Sequence, residues 1–364
     1  MIYIHVPFCI RKCGYCSFFS VPLDRELQDR YVSCLVKEIR QIGKTLYPET
    51  LYFGGGTPSL LEIPEFEKIL SYFDLSHCKE LTLEVNPATI SSDYAEKLRI
   101  LGFNRVSIGA QSTDAGELRW LGRIHTHEDT VNCVSMLREA GFDNISLDLI
   151  YALPGQETTS VLQSAKALCQ LQPQHFSLYC LSLEDSVPLA GWQSKLPDGD
   201  TAAEMYENLC DWLTVASFSQ YELSNFSLPG FESRHNSAYW NQVPYMGFGP
   251  SAAGFTGERR YKNPVSIVDW IEMVDSGSRE WEHETLNNRE QEYIMLRLRT
   301  TIGISFAEFS RRFGVDFQQK YSDVTAFLEK HSMLEEDVTH ARLTRKGRFV
   351  ADEVIQHFFI DDER

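Results

Sequence analysis

Three cysteines crowd behind a strand at the very start of the chain, and that arrangement constrains everything after it. Ile2 to Val6 is a β-branched run that reads as a strand ended by Pro7. Cys9, Cys13 and Cys16 follow with gaps of three and two residues. Gaps that short bend one loop so that three thiolates converge. Converging thiolates suit an iron–sulfur cluster, and three of them leave one iron of a four-iron cluster without a protein ligand. As in a catalytic zinc site, the position the protein leaves open is where chemistry would happen. A zinc knuckle short of one ligand and a disulfide with a spare thiol are the competing readings. His5, on the strand before the loop, is a candidate fourth zinc ligand only if it folds back.

Composition narrows the class. The chain has 364 residues, enough for one large domain and a smaller one, and 43% hydrophobic content is ordinary for a globular protein. A net charge of −17 argues against nucleic acid as a partner, because phosphate binding needs clustered cations. No apolar run approaches the ~20 residues of a membrane helix, and the start of the chain has no signal-peptide pattern. The other six of the nine cysteines (Cys34, Cys78, Cys133, Cys169, Cys180 and Cys210) are scattered singly. That usage points to a reducing cytoplasm, with most of the six acting as small buried hydrophobes.

Strand and helix patterns then alternate. Helices are expected over 25–43, 63–73, 93–101, 129–140, 159–171 and 202–216, the first from Leu27, Tyr31, Leu35 and Ile39 spaced on one face. Strands are expected over 51–53, 81–85, 105–109, 145–150, 176–181 and 219–226. Such alternation implies right-handed crossovers and a parallel sheet. Six or seven units fall short of an eightfold barrel, so the fold class is α/β, an incomplete, open parallel β/α barrel spanning 1–284. The cysteines, Gly54–Thr57, Glu84, Gln111 and Asp148 all lie at or just after strand ends, where barrels carry their functional groups. Residues 285–364 read differently. Helical stretches at 288–299, 306–313 (with Ser305 as N-cap), 317–330 and 345–358, plus a brief strand at 342–344, suggest a small, mostly helical, winged-helix-like module. Its acidic tail, Asp361 to Arg364, disfavours DNA.

Cys9, Cys13 and Cys16 together with Gly54-Gly-Gly-Thr-Pro58 resemble the radical S-adenosylmethionine (SAM) superfamily, in its coproporphyrinogen-oxidase-like branch. Tyr3 to Cys9, Glu84-Val-Asn-Pro87, Gly109-Ala-Gln-Ser112, Gly122-Arg123-Ile-His125 and Asp148 to Gly155 extend that similarity along the chain. The resemblance implies a 4Fe–4S cluster on Cys9, Cys13 and Cys16, with SAM chelating the open iron. It implies SAM contacts from Gly55, Gly56 and Thr57, and from Tyr3, Tyr15 and Glu84. Gln111, Arg123 and Asp148 match a second cofactor site of the oxidase, and Cys180 falls near a further contact. One electron from the reduced cluster would cleave a carbon–sulfur bond of SAM to give a deoxyadenosyl radical. No residue is singled out as catalytic in its own right.

Within the branch, the chain is most similar to the HemW haem chaperone family. The oxidase has a fourth cysteine where this chain has Phe18, and an N-terminal extension where this chain reaches Cys9 from its first strand. Arg234-His-Asn-Ser-Ala-Tyr-Trp240 matches the His-Asn-x-x-Tyr-Trp signature of HemW proteins, as does the Gly-rich run Tyr245 to Gly254. HemW proteins commonly continue Cys-Asp-Phe-Asn-Ser, whereas here Ser17 and Phe19 replace the Asp and Asn. The resemblance implies haem as cargo, with His235, Asn236, Tyr239 and Trp240 as haem-binding candidates. Tyr239 and Trp240 offer flat apolar faces for a porphyrin, while His235 is not expected to be the direct iron ligand. The expected function is delivery of haem to cytoplasm-facing respiratory haemoproteins, with an electron donor for the cluster, transient contact with membrane proteins and a homodimer as further associations. The alternatives are oxygen-independent coproporphyrinogen III oxidation or a radical SAM methyltransferase.

Overall fold

The computed structural model describes residues 1–277, 282–285 and 288–359. Its centre is a set of seven strands: β1 (Ile2–Val6), β2 (Thr50–Gly55), β3 (Glu80–Val85), β4 (Arg105–Gln111), β5 (Ile145–Tyr151), β6 (His175–Cys180) and β7 (Met246–Phe248). They lie in the order β7-β1-β2-β3-β4-β5-β6, every neighbouring pair parallel. β6 and β7 do not pair, so the sheet stays open as expected.

Each strand is two-faced. Leu51, Phe53, Leu81, Leu83, Val106, Ile108, Ile145, Leu147, Phe176 and Leu178 are buried on the outer face. Helices such as Arg25–Arg40, Ser92–Ile100, His127–Glu139 and Thr158–Cys169 follow the successive strands and supply the crossovers. The first of these begins where the Asp24 carboxylate accepts the Leu27 N–H at 2.9 Å, and it buries Tyr31, Leu35 and Ile39. The alternate strand positions, Tyr52, Thr82, Glu84, Arg105, Ser107, Ser146, Asp148, His175 and Ser177, are polar. Because strand side chains alternate with a period of two, these share the inner face.

The chain packs as two compact units, 1–205 with 244–285 and 206–243 with 286–364. The sequence reading divides it at 284/285 and keeps 235–240 in the first domain; in the structure the segment 206–243 packs with the C-terminal residues. That second unit has its own core, including Tyr293, Phe309, Phe317, Tyr321 and Phe358, beside a three-stranded antiparallel sheet ordered Ile304–Ser305, His340–Leu343, Leu334–Glu336. Ser305 caps Phe306–Phe313 by accepting the Glu308 N–H. The acidic tail at 361–364 lies outside the described residues. Among those described, no helix is long and apolar enough to cross a membrane.

Several elements differ from expectation. The strand expected over 219–226 is a hairpin, Ser219–Gln220 against Asn225–Ser227, because Glu222 accepts the Ser224 N–H and the Asn225 amide and turns the chain. The helix expected over 317–330 breaks at Tyr321, and that over 345–358 at the non-helical Val350. Arg234–Trp240 is a helix capped by Ser233. Met246–Phe248 becomes the sheet's edge strand; a Cβ at Gly247 would sit 2.0 Å from Ala253 O, so only glycine fits there.

A buried carboxylate ties that edge to the first helix. Glu38, 1% exposed, accepts the Gly249 N–H at 2.8 Å and the Asn263 amide at 2.7 Å. Glu38→Ala strands both donors and should lower stability by about 2–4 kcal/mol, with Glu38→Gln costing less. Urea denaturation checks this; an unchanged midpoint in the alanine variant would contradict it.

Candidate functional site

The cysteine loop is docked by backbone bonds to distant segments of its own unit. Gly14 N–H donates to Leu121 O at 3.2 Å, and Gly14 O accepts the Leu189 N–H at 3.0 Å. Leu23 N–H reaches Cys9 O at 2.9 Å, and Thr57 N–H reaches Phe8 O at 2.7 Å. Gly14 is required by this docking, since a Cβ there would meet the Leu189 side chain at 2.8 Å. His5 pins the loop's far end: its Nε2 donates to Phe19 O at 2.9 Å, which leaves Nδ1 to accept from Tyr3 OH at 3.1 Å. Burial holds the His5 pKa down to about 4, so the ring is neutral in this role. His5 is thereby committed and does not fold back as a ligand.

All nine cysteines are free thiols. Thr57 Oγ1 donates to Cys9 Sγ and Arg123 to Cys13 Sγ, each at 3.6 Å. Burial pushes the Cys16 thiol up, and Cys13 and Cys9 lie near enough to add to the effect. Among the described residues, no three His, Cys, Asp or Glu side chains gather tightly enough for one metal ion. A four-iron cube makes no such demand, because each thiolate binds a different iron.

Beside the loop, at the carboxyl ends of the strands, is a cavity of about 390 Å³. It gathers ten of the sequence candidates: Tyr15, Cys16, Gly55, Gly56, Thr57, Glu84, Gln111, Arg123, Asp148 and Cys180. Tyr3 lies just below, its ring stacked on Tyr52 with centroids 6.2 Å apart. Cys9 and Cys13 are not part of its lining, but Thr57 and Arg123, which are, bond to them. The exposed ring of Phe18 and the half-exposed ring of Tyr179 line the cavity too. A larger hollow of about 590 Å³, lined by Arg40, Lys44 and Tyr72 among others, contains none of the candidates.

The cavity wall has the features of a built ligand site. Gly55 has φ +114°, and a Cβ on it would meet the His5 ring at 2.7 Å; one on Gly56 would meet Phe8 O at 2.7 Å. Gln111, with φ +66°, and Arg123 each carry a buried polar atom without a partner, Oε1 and Nε respectively. Arg123 is held by Gly109 O at 2.7 Å. Glu84 accepts from Tyr52 OH at 2.8 Å and from Gly55 N–H at 3.1 Å. Burial still pushes its carboxyl up to about 7, with the Asp148 charge adding to the shift. Burial likewise raises Asp148 to about 6, against bonds from Ser177 and Ser107. Two carboxyls that ionise near neutrality, facing bare backbone and unpaired donor and acceptor atoms, suit a polar, cation-bearing ligand. The donor set and the glycine cradle fit a cluster with SAM beside it.

The remaining candidates are in the second unit. On the helix Arg234–Trp240, His235 is 1% exposed, and its Nε2 lies 2.9 Å from Tyr239 OH with the rings edge to face. Tyr239 and Trp240 are half-buried, and Trp240 Nε1 is buried without a partner. Sequence reasoning passed over three positioning groups: His5 as the loop's pin, Tyr52 as donor to Glu84, and Ser107 beneath Asp148. The inward alternation of the strands was the signal that could have found the last two.

Gly55→Ala forces a side chain into the His5 ring from a left-handed backbone. It should cost about 1–3 kcal/mol, measurable by chemical denaturation of the metal-free protein. Wild-type stability would show the cradle to be more accommodating than its geometry implies.

Comparison with known proteins shows the family. Residues 3–168 match the family model of the radical SAM superfamily, and residues 285–350 that of the HemN C-terminal domain. The heme chaperone HemW of Lactococcus lactis is 35% identical over 372 residues, covering 99% of this chain and 97% of its own. That of Bacillus subtilis is 32% identical, covering 98% of both. The solved structure of Escherichia coli coproporphyrinogen III oxidase (HemN), a radical SAM enzyme, superposes with a TM-score of 0.84 at 22% identity over 98% of this chain and 89% of that one, a likeness of fold. Membership of the superfamily implies a 4Fe–4S cluster and SAM. The chain belongs to the HemW family of radical SAM proteins.

Proposed function

We propose that the protein is a haem chaperone that binds a 4Fe–4S cluster on Cys9, Cys13 and Cys16, holds SAM in the adjacent cavity and carries haem for transfer to respiratory haemoproteins. The observation that supports it most is the convergence of ten motif residues on one cavity in a chain 35% identical to a HemW protein. When bound, the cluster supplies one electron to the sulfonium centre of SAM. The chain's own residues do the rest. Gly55 and Gly56 let backbone approach the ligand, Thr57 and Arg123 donate toward the thiolates, and Glu84 and Asp148 face its positive charges. Tyr3, Tyr15, Gln111 and Cys180 complete the SAM contacts in this reading.

Haem is assigned to the helix Arg234–Trp240. Its half-buried Tyr239 and Trp240 rings offer apolar faces, and Asn236 a polar contact. His235, engaged with Tyr239, orients that ring rather than presenting a free imidazole. An electron donor, transient contact with membrane proteins and a homodimer belong to the same proposal. The tests are separate for each ligand.

SAM affinity should rise with pH. Glu84 and Asp148 have folded-state pKa values of about 7 and about 6, above their ordinary 4.5 and 3.8. The unliganded fold therefore loses stability as pH rises toward 7, while the ionised carboxyls attract the cation. Calorimetry on anaerobically reconstituted protein should show affinity climbing between about pH 5.5 and 8, and Glu84→Gln should remove the upper step. A flat profile would refute this role for the carboxyls.

Haem binding, followed by absorbance, should be lost in the His235→Ala, Tyr239→Ala, Trp240→Ala triple variant. Wild type that binds no haem, or a variant that binds as well, would reject the cargo assignment. Conversion of coproporphyrinogen III to protoporphyrinogen would replace it with the oxidase.

A further inference from the structure

The helix assigned to haem ends on one strained residue, and the C-terminal segment holds that residue from both sides. Gln242, just beyond the helix Arg234–Trp240, has a φ of +54°, in the left-handed region. Its N–H donates to Tyr239 O and the Val243 N–H to Ala238 O, both at 3.0 Å, which closes the last turn. Glycine suits that conformation best, and Gly122, Gly277 and Gly314 end three other helices of the chain in it. Glutamine is strained where glycine would not be, so its surroundings must hold it there.

The side chain shows what does the holding. Nε2 donates to Glu292 Oε2 and Oε1 accepts from Arg312 Nη1, each at 2.9 Å. Gln172, Ser217 and Ser332 also follow helices with positive φ, yet their side chains make no hydrogen bond among the described residues. Beside Gln242, Asn241 accepts from Arg297 Nη1 and donates through Nδ2 to Ser237 O at 2.8 Å, within the helix. Arg297 is 7% exposed and is itself fixed by a bond from Nε to Gly303 O at 3.1 Å. Arg312 donates to Glu308 at 2.6 Å, and its guanidinium carbon lies 4.9 Å from the centroid of the Tyr293 ring. Tyr293 belongs to the core of the second unit. Contacts therefore run from that core, through Arg312 and Gln242, to the turn that carries Tyr239 and Trp240. All of these residues lie in one compact unit, 206–243 with 286–364.

A ring already held in its bound orientation costs less to order when a ligand stacks on it. We infer that Gln242 is a positioning residue: gripped by Glu292 and Arg312, it fixes the last turn of the helix so that Tyr239 and Trp240 present a preset apolar face to a planar ligand. The C-terminal module then serves as the frame of that face. This rests on reading the helix as the haem site.

The test replaces Gln242 by residues that accept its backbone but lack its reach. Gln242→Gly and Gln242→Asn both suit a left-handed position, and neither spans from Glu292 to Arg312, so the fold should hold while the grip is lost. Haem titrated into each variant and followed by absorbance should bind about tenfold more weakly than to wild type, the loss that one or two hydrogen bonds imply. A haem-free readout comes from fluorine resonance of protein labelled with 5-fluorotryptophan, the Trp240 signal being identified from Trp240→Phe. In both variants that signal should move or broaden while the other tryptophan signals keep their places. A merely structural Gln242 would change stability alone. Wild-type haem affinity in the folded variants, or a Trp240 signal at its wild-type position, overturns the inference. Should neither variant fold, Arg312→Ala opens the same grip from a partly exposed side chain and is judged by the same two readouts. Wild type that binds no haem sinks the functional reading instead, and the fluorine signal then decides this inference by itself.

Discussion

Burying polar groups inside a parallel sheet is the constraint on which the structure turns. A parallel sheet covered on both faces ordinarily reads as nearly continuous hydrophobic strands. Here the outer face obeys that rule, and the inner face carries tyrosines, serines, carboxyls, an arginine and two histidines. Each unpaired group of this kind is costly away from water. The interior answers with direct pairs: Tyr52 to Glu84, Ser146 Oγ to His175 Nδ1 at 2.7 Å, and Ser107 to Asp148. Gln111 Oε1 and Arg123 Nε stay unpaired at the cavity wall, where a ligand can complete them, while Thr82 Oγ1 stays unpaired on the inner face away from the cavity.

The barrel stays open, and its seven strands enclose a hollow rather than a filled core. Layered branched side chains would fill the interior of a closed barrel. Here glycines at positions 54–56 and 109 keep the upper layer low. Their missing side chains are occupied in effect by neighbours: Tyr3 and Glu84 crowd Gly54, and Gln111 and Arg123 crowd Gly109. Stability and ligand access compete directly at these positions, and the sequence settles the contest in favour of access.

Much of this was legible beforehand. The strand–helix alternation located the open barrel, and residues at strand ends named part of the cavity wall. What stayed hidden depends on tertiary contact. Nothing local marks His5 as the pin for Phe19 O, because the bond spans fourteen residues. Glu222 looked like an ordinary strand residue until its bonds to Ser224 and Asn225 made a turn. The edge strand Met246–Phe248 exists through pairing with β1, and a three-residue segment with glycine at its centre has no propensity to announce that. The inner polar stripe was visible as alternation in Glu80–Val85 and Ile145–Tyr151, yet only the register sets Arg105 opposite Thr82.

The docking of Gly14 between Leu121 and Leu189 has a consequence for how the protein is assembled. Those bonds are made by backbone amides and owe nothing to metal. Many small metal-binding folds collapse when stripped, because the ion is their cross-link. This loop is instead moulded by the barrel around it, so iron and sulfide would enter a finished vessel. Losing them to air would empty that vessel without breaking it, and refilling would require chemistry alone, with no second round of folding.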